Sequence, residues 1–293
     1  MEGYIEGRGP SKINVYNVGQ GTFIEMNFST GRTILFDVGM TVQDKIENNN
    51  YILDNVALFM HLKPDVIILS HWDIDHILGI AYMEDCVNEN GKDIIWVVPN
   101  MLKILNSVSQ SARLLLLYLL INKRKVYIAN QTMGASNNKE RLIFPLRDDK
   151  EKNRDAKFQI WQGDGKKGTF NKNNNVGLII QIGAKGEDKI LLPGDCEYSH
   201  MPCDCRCNYK YMVVSHHGAK QEIPEELRSS DYDSSICICS VGKNSYGHPN
   251  LKTRGRLREL GYHIENTEEV RKDVISSSGR EYSFATITSN GDD

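Results

Sequence analysis

Short apolar runs separated by turn residues dominate the start of the chain. The runs Ile13–Val18, Thr22–Phe28 and Thr33–Phe36 are rich in β-branched and aromatic side chains, which favours strands. Gly19-Gln20-Gly21 and Ser29–Arg32 separate them with turn residues. This pattern predicts an antiparallel β beginning.

Further strand patterns alternate with helical ones along the rest of the chain. Apolar residues at helical spacing predict helices over Asn50–Leu62, Gly79–Cys86, Leu102–Leu120 and Pro249–Leu260. Strands are predicted at Val66–Leu69, Ile94–Val98, Val126–Ala129, Leu142–Phe144, Phe158–Trp161, Val176–Ile182, Lys189–Leu192, Tyr211–Ser215, Ser235–Ser240 and Tyr282–Thr288. Strands in both halves with helices between them favour an α/β arrangement, with two sheets packed face to face and helices outside. We expect a flexible segment over 1–11 and a single domain over 12–293, with a helical insertion at about 100–155.

Composition narrows the class of protein without naming a partner. The 293 residues carry a net charge of −3, so the overall charge does not indicate a nucleic-acid partner. A local basic groove is compatible with this net charge. The longest apolar run, Leu114–Ile121, is far below the roughly 20 residues that span a bilayer. The N-terminus lacks an apolar signal core. We therefore expect a cytoplasmic protein with no membrane partner, of undetermined oligomeric state.

The seven cysteines do not predict a disulfide framework, because no secretory signal accompanies them. Cys203, Cys205 and Cys207 could bind a soft metal, but their spacing differs from common zinc knuckles. A surface loop with reduced thiols is the simpler interpretation. Cys237 and Cys239 alternate with isoleucines and are predicted to lie in the core of a strand.

The densest polar cluster directly follows the apolar run Val66–Leu69. Two imidazoles and two carboxylates lie within six residues, as His71, Asp73, Asp75 and His76. Without a partner, such groups at the end of a buried strand would carry a large desolvation cost. Mixed nitrogen and oxygen ligands suit Zn²⁺ or Mn²⁺. The segment therefore predicts a metal site.

Three later strand ends offer more polar groups: Asp195, the pair His216-His217, and His248. Taken singly, each has an ordinary explanation. Asp195 could be a turn residue, His248 could begin a helix, and Asp37, at the end of an earlier strand, could be a cap. Together, after the metal loop, they indicate one site, because rigid strands would deliver them all to one edge of the fold.

The order of these motifs is more specific than any member. The motifs are Val18-Gly19-Gln20-Gly21, Phe36-Asp37-Val38-Gly39, His71-x-Asp73-x-Asp75-His76, Asn174-Asn175, Pro193-Gly194-Asp195, Ser215-His216-His217-Gly218, Ser240-Val241-Gly242 and Gly247-His248-Pro249. This order resembles the metallo-β-lactamase fold superfamily. It is most similar to the soluble hydrolase domain of ComEC-type DNA-uptake proteins and their free-standing relatives. The resemblance runs from about Lys12 to Asn250.

The resemblance implies a four-layer αββα sandwich, with two mixed sheets, outer helices and two divalent metal ions at the edge between the sheets. It implies one ion held by His71, Asp73 and Asp195, and a second held by Asp75, His76, Asp195 and His216. Asp195 would bridge the ions. Asp75 and His248 would be the catalytic residues. Residues behind the ligands or against the substrate would be Asp37, Asn174, Asn175, His217 and Lys220, with His217 bracing His216.

Departures from the superfamily's commoner pattern bear on the metal. Asp73 stands where the commoner metal loop has a histidine. Asn174-Asn175 stand where the third motif of the commoner pattern has a second histidine. Gly177 stands where the ComEC-like branch usually has serine. Oxygen ligands in place of imidazole harden the first site, which shifts preference from Zn²⁺ towards Mn²⁺ or Mg²⁺.

The implied activity is metal-dependent hydrolysis of a phosphodiester by a water that two ions activate. A nuclease acting on DNA or RNA is favoured by basic residues near the predicted site. These residues are Lys220, Lys243, Lys252, Arg254, Arg256 and Arg258. The alternative is a hydrolase of small molecules such as cyclic nucleotides. A third interpretation is a metal-bound interaction module without turnover.

Overall fold

Two seven-stranded sheets contain most of the strands in the described part of the chain. The computed structural model describes residues 9–41, 59, 62–83, 93–129, 142–144, 158–165, 172–184, 187–242, 244–269, 274–275, 281–282 and 284–288. The strands are β1 (Lys12–Tyr16), β2 (Phe23–Asn27), β3 (Thr33–Val38), β4 (Val66–Ile68), β5 (Ile95–Pro99), β6 (Lys125–Ala129), β7 (Leu142–Phe144), β8 (Phe158–Gln162), β9 (Leu178–Ile182), β10 (Ile190–Leu192), β11 (Tyr211–Val213), β12 (Ile236–Cys239), β13 (His263–Asn266), β14 (Val274–Ile275), β15 (Glu281–Tyr282) and β16 (Phe284–Thr288).

Both sheets are mixed, and each is antiparallel on one side and parallel on the other. The first has the order β16-β1-β2-β3-β4-β5-β6, and the second has β13-β12-β11-β10-β9-β8-β7. Strands β3 to β6 pair in parallel, as do β10 to β13. The carboxyl ends of parallel strands meet at one edge of a sheet. The loops after β4, β10 and β11 therefore can converge.

Apolar side chains from the two sheets form one shared core. Ile24 and Ile68 of the first sheet belong to the same buried cluster as Ile180, Leu192 and Ile238 of the second. The near-continuous apolar strands are buried on both faces, as expected for sheets covered on each side. Two further apolar clusters lie on the outer faces of the two sheets, where strand residues pack against helix residues. The sequence-based prediction of an αββα arrangement with two mixed sheets and outer helices is thereby confirmed.

Four α-helices have both ends within the described residues: α1 (Ile74–Ile77), α2 (Gln110–Ile121), α3 (Lys172–Asn175) and α4 (Leu251–Glu259). Ala112 and Leu119 of α2 pack in the outer cluster of the first sheet. Leu257 of α4 packs in that of the second sheet. Asn250 caps α4, and its side chain accepts a hydrogen bond from the Lys252 backbone N–H at 3.0 Å.

The predicted helix over Leu102–Leu120 is wrong in its first half. A 3₁₀ segment covers Met101–Ser107, and α2 begins only at Gln110. Ser109 starts a separate helix, because its side chain accepts a hydrogen bond from the Ala112 N–H and caps the N-terminus of α2. Such a cap stabilises a helix start by about 1 kcal/mol. The face of α2 that is buried is narrower than the apolar sequence suggests, since Leu114, Leu117 and Leu120 are exposed.

Other differences are local. The described part of the predicted helix Gly79–Cys86 is a 3₁₀ turn over Leu78–Tyr82. Strand β13 escaped prediction, because its sequence His-Ile-Glu-Asn carries a single aliphatic residue. The predicted last strand is divided into β15 and β16. Among the regions outside the described residues are 1–8, nearly all of the predicted helix 50–62, and the parts of the predicted insertion at 130–141 and 145–157. The single-domain boundaries remain a prediction.

No helix in the described ranges is long and apolar enough to cross a membrane. Cys237 and Cys239 are buried in β12, which confirms their predicted place in the core. Of the three clustered cysteines, Cys203 is exposed, while Cys205 is buried. Within the described residues, no cysteine belongs to a group that could hold a metal ion.

Candidate metal centre

Ligands from three strand-end loops meet between the two sheets. His71, Asp73, Asp75 and His76 follow β4. Asp195 follows β10, and the His216-His217 pair follows β11. Two overlapping groups have ligand atoms within 4.8 Å of one another: His71 with His76 and Asp195, and Asp75 with His76 and His217. The structure therefore brings His71, Asp75 and His76 of the metal loop close to Asp195 and His217. Asp73 and His216, which the resemblance places among the ligands, belong to neither group in the described residues.

Four buried ligand atoms in this cluster have no hydrogen-bond partner in the described structure. They are the Nε2 atoms of His71, His76 and His217, and Oδ1 of Asp195. A buried polar atom without a partner carries a desolvation penalty of a few kcal/mol. Four such atoms facing one another fit a divalent cation, which would satisfy all of them at once. The residues present therefore fit metal binding.

Asp195 lies at the centre of the cluster. Its Oδ1 is 3.2 Å from His76 Nε2 and 3.8 Å from His217 Nε2. Its Oδ2 is 3.8 Å from His71 Nε2 and 3.6 Å from His216 Nε2. Each carboxylate oxygen thus faces two imidazoles. This is the arrangement expected of a carboxylate that bridges two ions.

Hydrogen bonds behind the imidazoles fix which nitrogen faces the centre. His76 Nδ1 lies 2.7 Å from Asp37 Oδ2, and His217 Nδ1 lies 2.8 Å from the Ser240 carbonyl oxygen. Both acceptors require a proton on Nδ1, which leaves the Nε2 lone pair free for a metal. His71 Nδ1 contacts Ser70 Oγ at 2.9 Å. All three rings are held in the tautomer that a metal ligand needs.

Asp37 and Ser70 form the buried support of the metal loop. The Ser70 backbone N–H and hydroxyl both donate to Asp37, each at 2.6 Å. Both residues are fully buried. Sequence reasoning placed Asp37 behind the ligands but gave Ser70 no role. The position of Ser70, between a buried strand and His71, is the signal that could have identified it.

Close backbone approach explains several glycines in the motifs. A Cβ on Gly39 would lie 2.0 Å from the Asp75 carbonyl oxygen, and one on Gly194 would lie 2.5 Å from Ser70 Cβ. Gly194 also has a φ of 56°, which favours glycine. At Gly177 a Cβ would lie 2.7 Å from the Asn174 carbonyl oxygen. In this chain's backbone arrangement, serine at position 177 would not fit without movement.

The asparagine run of α3 contacts the loop through a residue that sequence reasoning missed. Asn173 donates from Nδ2 to Asp73 Oδ1 at 2.5 Å, and so orients that carboxylate. Asn175 lies behind the Asp195 loop, where its Oδ1 accepts from the Glu197 N–H at 3.2 Å. Asn174 contacts Gly177 through its backbone carbonyl. The resemblance alone indicated this run of asparagines, and it indicated Asn174 and Asn175, not Asn173.

The three carboxylates of the centre stay ionised despite their burial. Burial alone raises the pKa of Asp75, but the charges of His76 and His217 outweigh it and lower the pKa to about 2. Burial likewise opposes ionisation of Asp195, yet His76 and His216 hold its pKa well below its usual range. Burial lowers the pKa of His76, while Asp195 and Asp37 raise it further than burial lowers it. A buried negative cluster of this kind attracts cations, which would displace protons from the imidazoles.

His248 lies at the open side of the centre. Its ring centroid is 6.0 Å from that of His216, and its Nδ1 lies 3.4 Å from Gln20 Nε2. Burial and the nearby His216 lower the pKa of His248 to about 4. The ring is therefore neutral near pH 7. With Gln20 donating to Nδ1, the proton lies on Nε2.

The predicted basic surface is only partly available. Arg256 is paired with Glu225 at 2.7 Å and with Glu259 at 3.2 Å. Lys220 and Lys252 are exposed, as is Arg258. Arg254 is half-buried, and Lys243 lies outside the described residues.

Comparison with known proteins supports the superfamily named by the resemblance. A family model described as the metallo-beta-lactamase superfamily matches residues 17–85. This segment contains Gln20, Asp37 and the whole loop from His71 to His76. No curated protein matches the chain in sequence.

Several solved structures resemble the chain over most of its length. The metallo-beta-lactamase fold protein YhfI from Bacillus subtilis is 10% identical, with a TM-score of 0.45, and the match covers 89% of this chain and 97% of that one. Human tRNase Z, short form, is 12% identical, with a TM-score of 0.45 and coverage of 94% and 98%. Unliganded yeast PDE1 is 12% identical, with a TM-score of 0.43 and coverage of 88% and 97%.

Proposed function

We propose that this protein is a phosphodiesterase with two divalent metal ions, and that its substrate is DNA or RNA. The observation that carries the proposal is the set of four buried, unpartnered ligand atoms around Asp195. A purely structural role would leave these atoms without compensation for their desolvation. Metal binding by His71, Asp73, Asp75, His76, Asp195 and the following histidine pair provides that compensation.

Bound ions would supply a nucleophilic water near neutral pH and would neutralise charge on a phosphoryl oxygen. Asp73, Asp75 and Asp195 would offset much of the charge of two divalent ions, and the ions would still attract an anionic phosphoryl oxygen.

His248 is suited to donate a hydrogen bond to the substrate. Its neutral ring carries the proton on Nε2, since Gln20 contacts Nδ1 at 3.4 Å. A neutral imidazole can stabilise charge on a phosphoryl or leaving oxygen without adding a full positive charge to the site. Asp75 lies 3.4 Å from His217 and is placed to orient the nucleophile as well as to bind metal.

The choice between polymer and small diester depends on the surface beside α4. The resemblance to the ComEC-type branch and the exposed Lys220, Lys252 and Arg258 support a polymer, because phosphate backbones bind such residues. The ion pairs of Arg256 with Glu225 and Glu259 remove one cation from this surface. That observation favours the alternative, a small diester such as a cyclic nucleotide.

A substrate panel tests the proposal. Single-strand DNA, double-strand DNA, RNA, cyclic nucleotides and bis-p-nitrophenyl phosphate would each be assayed with Mn²⁺ and with Zn²⁺. We expect cleavage of a polymer, steep loss of activity as salt rises, and stimulation by Mn²⁺. Cleavage of small diesters alone would select the alternative. Absence of hydrolysis with every substrate and either metal would contradict the proposal.

His248→Ala is expected to lower the turnover number by about 100- to 1000-fold, the range for loss of one hydrogen-bond donor to a transition state. Bound metal should stay unchanged, because His248 belongs to neither ligand group in the described residues. Steady-state kinetics and metal analysis of the same preparation measure both quantities. His263→Ala, at an exposed position on β13, is the matched control. Wild-type kinetics for His248→Ala would assign that residue a structural role.

A further inference from the structure

An exposed tyrosine ring lies beside the open side of the metal centre. Tyr246 is 66% exposed, and its ring centroid is 5.9 Å from that of His248, with the ring planes inclined by 32°. The His248 ring in turn lies 6.0 Å from that of His216. A single exposed ring on a protein surface is ordinary. What distinguishes Tyr246 is its contact with the histidine that the proposed function places against the substrate.

One side chain fixes the backbone that carries this ring. The Asn244 Oδ1 accepts hydrogen bonds from the backbone N–H groups of Tyr246 and His248, each at 3.1 Å. Its Nδ2 donates to the carbonyl oxygens of Gly242 and His248, each at 2.9 Å. Asn244 thus holds the loop on both sides of Tyr246. A ring presented in this way loses little conformational entropy when it binds a ligand.

Cations adjoin the loop. Lys220 and Lys252 are exposed and belong to two segments that are bonded to each other, since Thr253 Oγ1 of α4 donates to the Ala219 carbonyl oxygen at 2.8 Å. Surfaces that bind single-stranded nucleic acid combine cations, which contact the backbone, with aromatic rings, on which bases stack. The loop and the start of α4 together offer both kinds of group.

We propose that Tyr246 is a nucleobase subsite, on which a base next to the scissile phosphate stacks, and that the substrate is therefore single-stranded. The subsite rests on the proposed function, which places the phosphate at His248. A nucleotide whose phosphate contacts His248 has its base within reach of the adjoining tyrosine ring. A base in a duplex is already paired and stacked, so it would have to be extruded first.

Tyr246→Ala is expected to raise the KM for a single-stranded oligothymidylate by about 5- to 150-fold, the range for loss of one stacked base. The turnover number should change little, because stacking acts equally on the bound substrate and the transition state. Tyr246→Phe keeps the ring and should keep wild-type kinetics. Tyr232→Ala, at another exposed tyrosine, is the matched control and should do the same. Steady-state kinetics with Mn²⁺ measure these quantities.

An abasic strand of the same length separates stacking from support of His248. The wild type should have a higher KM for the abasic strand than for the thymidine strand, and Tyr246→Ala should remove this difference. A tyrosine that only supported His248 would affect both strands alike. An equal loss of turnover on the two strands, or equal KM values for them with the wild type, would therefore overturn the subsite.

Binding in EDTA, which prevents metal-dependent hydrolysis, distinguishes failure of the subsite from failure of the proposed function. The affinity of the full chain for labelled strands would be measured by fluorescence anisotropy. Binding that needs both the bases and Tyr246, without hydrolysis under Mn²⁺ or Zn²⁺, would contradict the proposed function and support the subsite. Hydrolysis that Tyr246→Ala leaves unchanged would overturn the subsite alone. Binding of thymidine 3′,5′-cyclic phosphate as tight as that of the strand, and equally dependent on Tyr246, would overturn the single-strand assignment.

Discussion

Asp195→Asn is expected to abolish hydrolysis and to remove both ions. The two oxygens of Asp195 face four imidazoles, at 3.2 to 3.8 Å. An amide has nearly the same shape but no charge, and its nitrogen would turn a donor towards one pair of rings. Both ion sites would therefore lose their shared anion. Metal analysis after dialysis, followed by a hydrolysis assay with bis-p-nitrophenyl phosphate, measures the two losses.

Asp164→Asn is the matched control for this prediction. Asp164 is also a buried carboxylate beside an imidazole, since its Oδ1 lies 2.6 Å from His200 Nδ1. It belongs to neither ligand group in the described residues. We expect this variant to keep both ions. Full metal content in Asp195→Asn would show that Asp195 does not bridge, and would contradict the proposed centre.

Asp37→Ala is expected to lower the free energy of unfolding more than the other substitutions proposed for this protein. Asp37 accepts two hydrogen bonds from Ser70 and pairs with His76, all in a fully buried position. Removing one partner of a buried charged pair costs about 3–5 kcal/mol. The φ of 58° at Asp37 adds to the cost, because alanine adopts it poorly. Urea denaturation, monitored by circular dichroism, would give the change in the free energy of unfolding.

A gentler substitution separates folding from metal binding at this position. In Asp37→Asn, the asparagine tolerates positive φ, and its side-chain oxygen can still accept a hydrogen bond from the Ser70 N–H. Its amide nitrogen would face His76 Nδ1, so the ring would have to move its proton to Nε2 and lose its metal-binding lone pair. We expect a folded protein with at least about 10-fold weaker binding of one ion. Asp93→Ala, which breaks the exposed pair with Lys125, should leave the free energy of unfolding nearly unchanged. An equally small effect of Asp37→Ala would refute its buried support role.

Much of the fold is readable from the sequence, because buried parallel strands are continuous apolar runs. Val66–Ile68 and Ile236–Cys239 are strands in the structure as predicted. Strand β13 is not readable in this way, since it forms by pairing with β12 and its side chains are mostly not buried. The interruption between Ser107 and Gln110 was missed because apolar residues continue on both sides of it. Capping by Ser109 outweighed that periodicity.

The site is readable in its residue types but not in its geometry. The metal loop, Asp195 and the histidine pair were identified from their positions at strand ends. Which histidine faces which oxygen depends on the left-handed backbone of His216 and His217, and nothing in the sequence Ser-His-His-Gly specifies that backbone. Asn173 was missed for a similar reason, since three successive asparagines offer no pattern that selects one.

The metal centre joins loops that are far apart along the chain, and this affects the order of folding events. His71 follows a strand of the first sheet, while Asp195 and His217 follow strands of the second. The centre can assemble only after both sheets have formed and packed together, which is a late event for such long-range contacts. Ions would then be absent from the folding transition state. They should leave the refolding rate unchanged and slow the unfolding rate, so that bound metal lengthens the lifetime of the native chain.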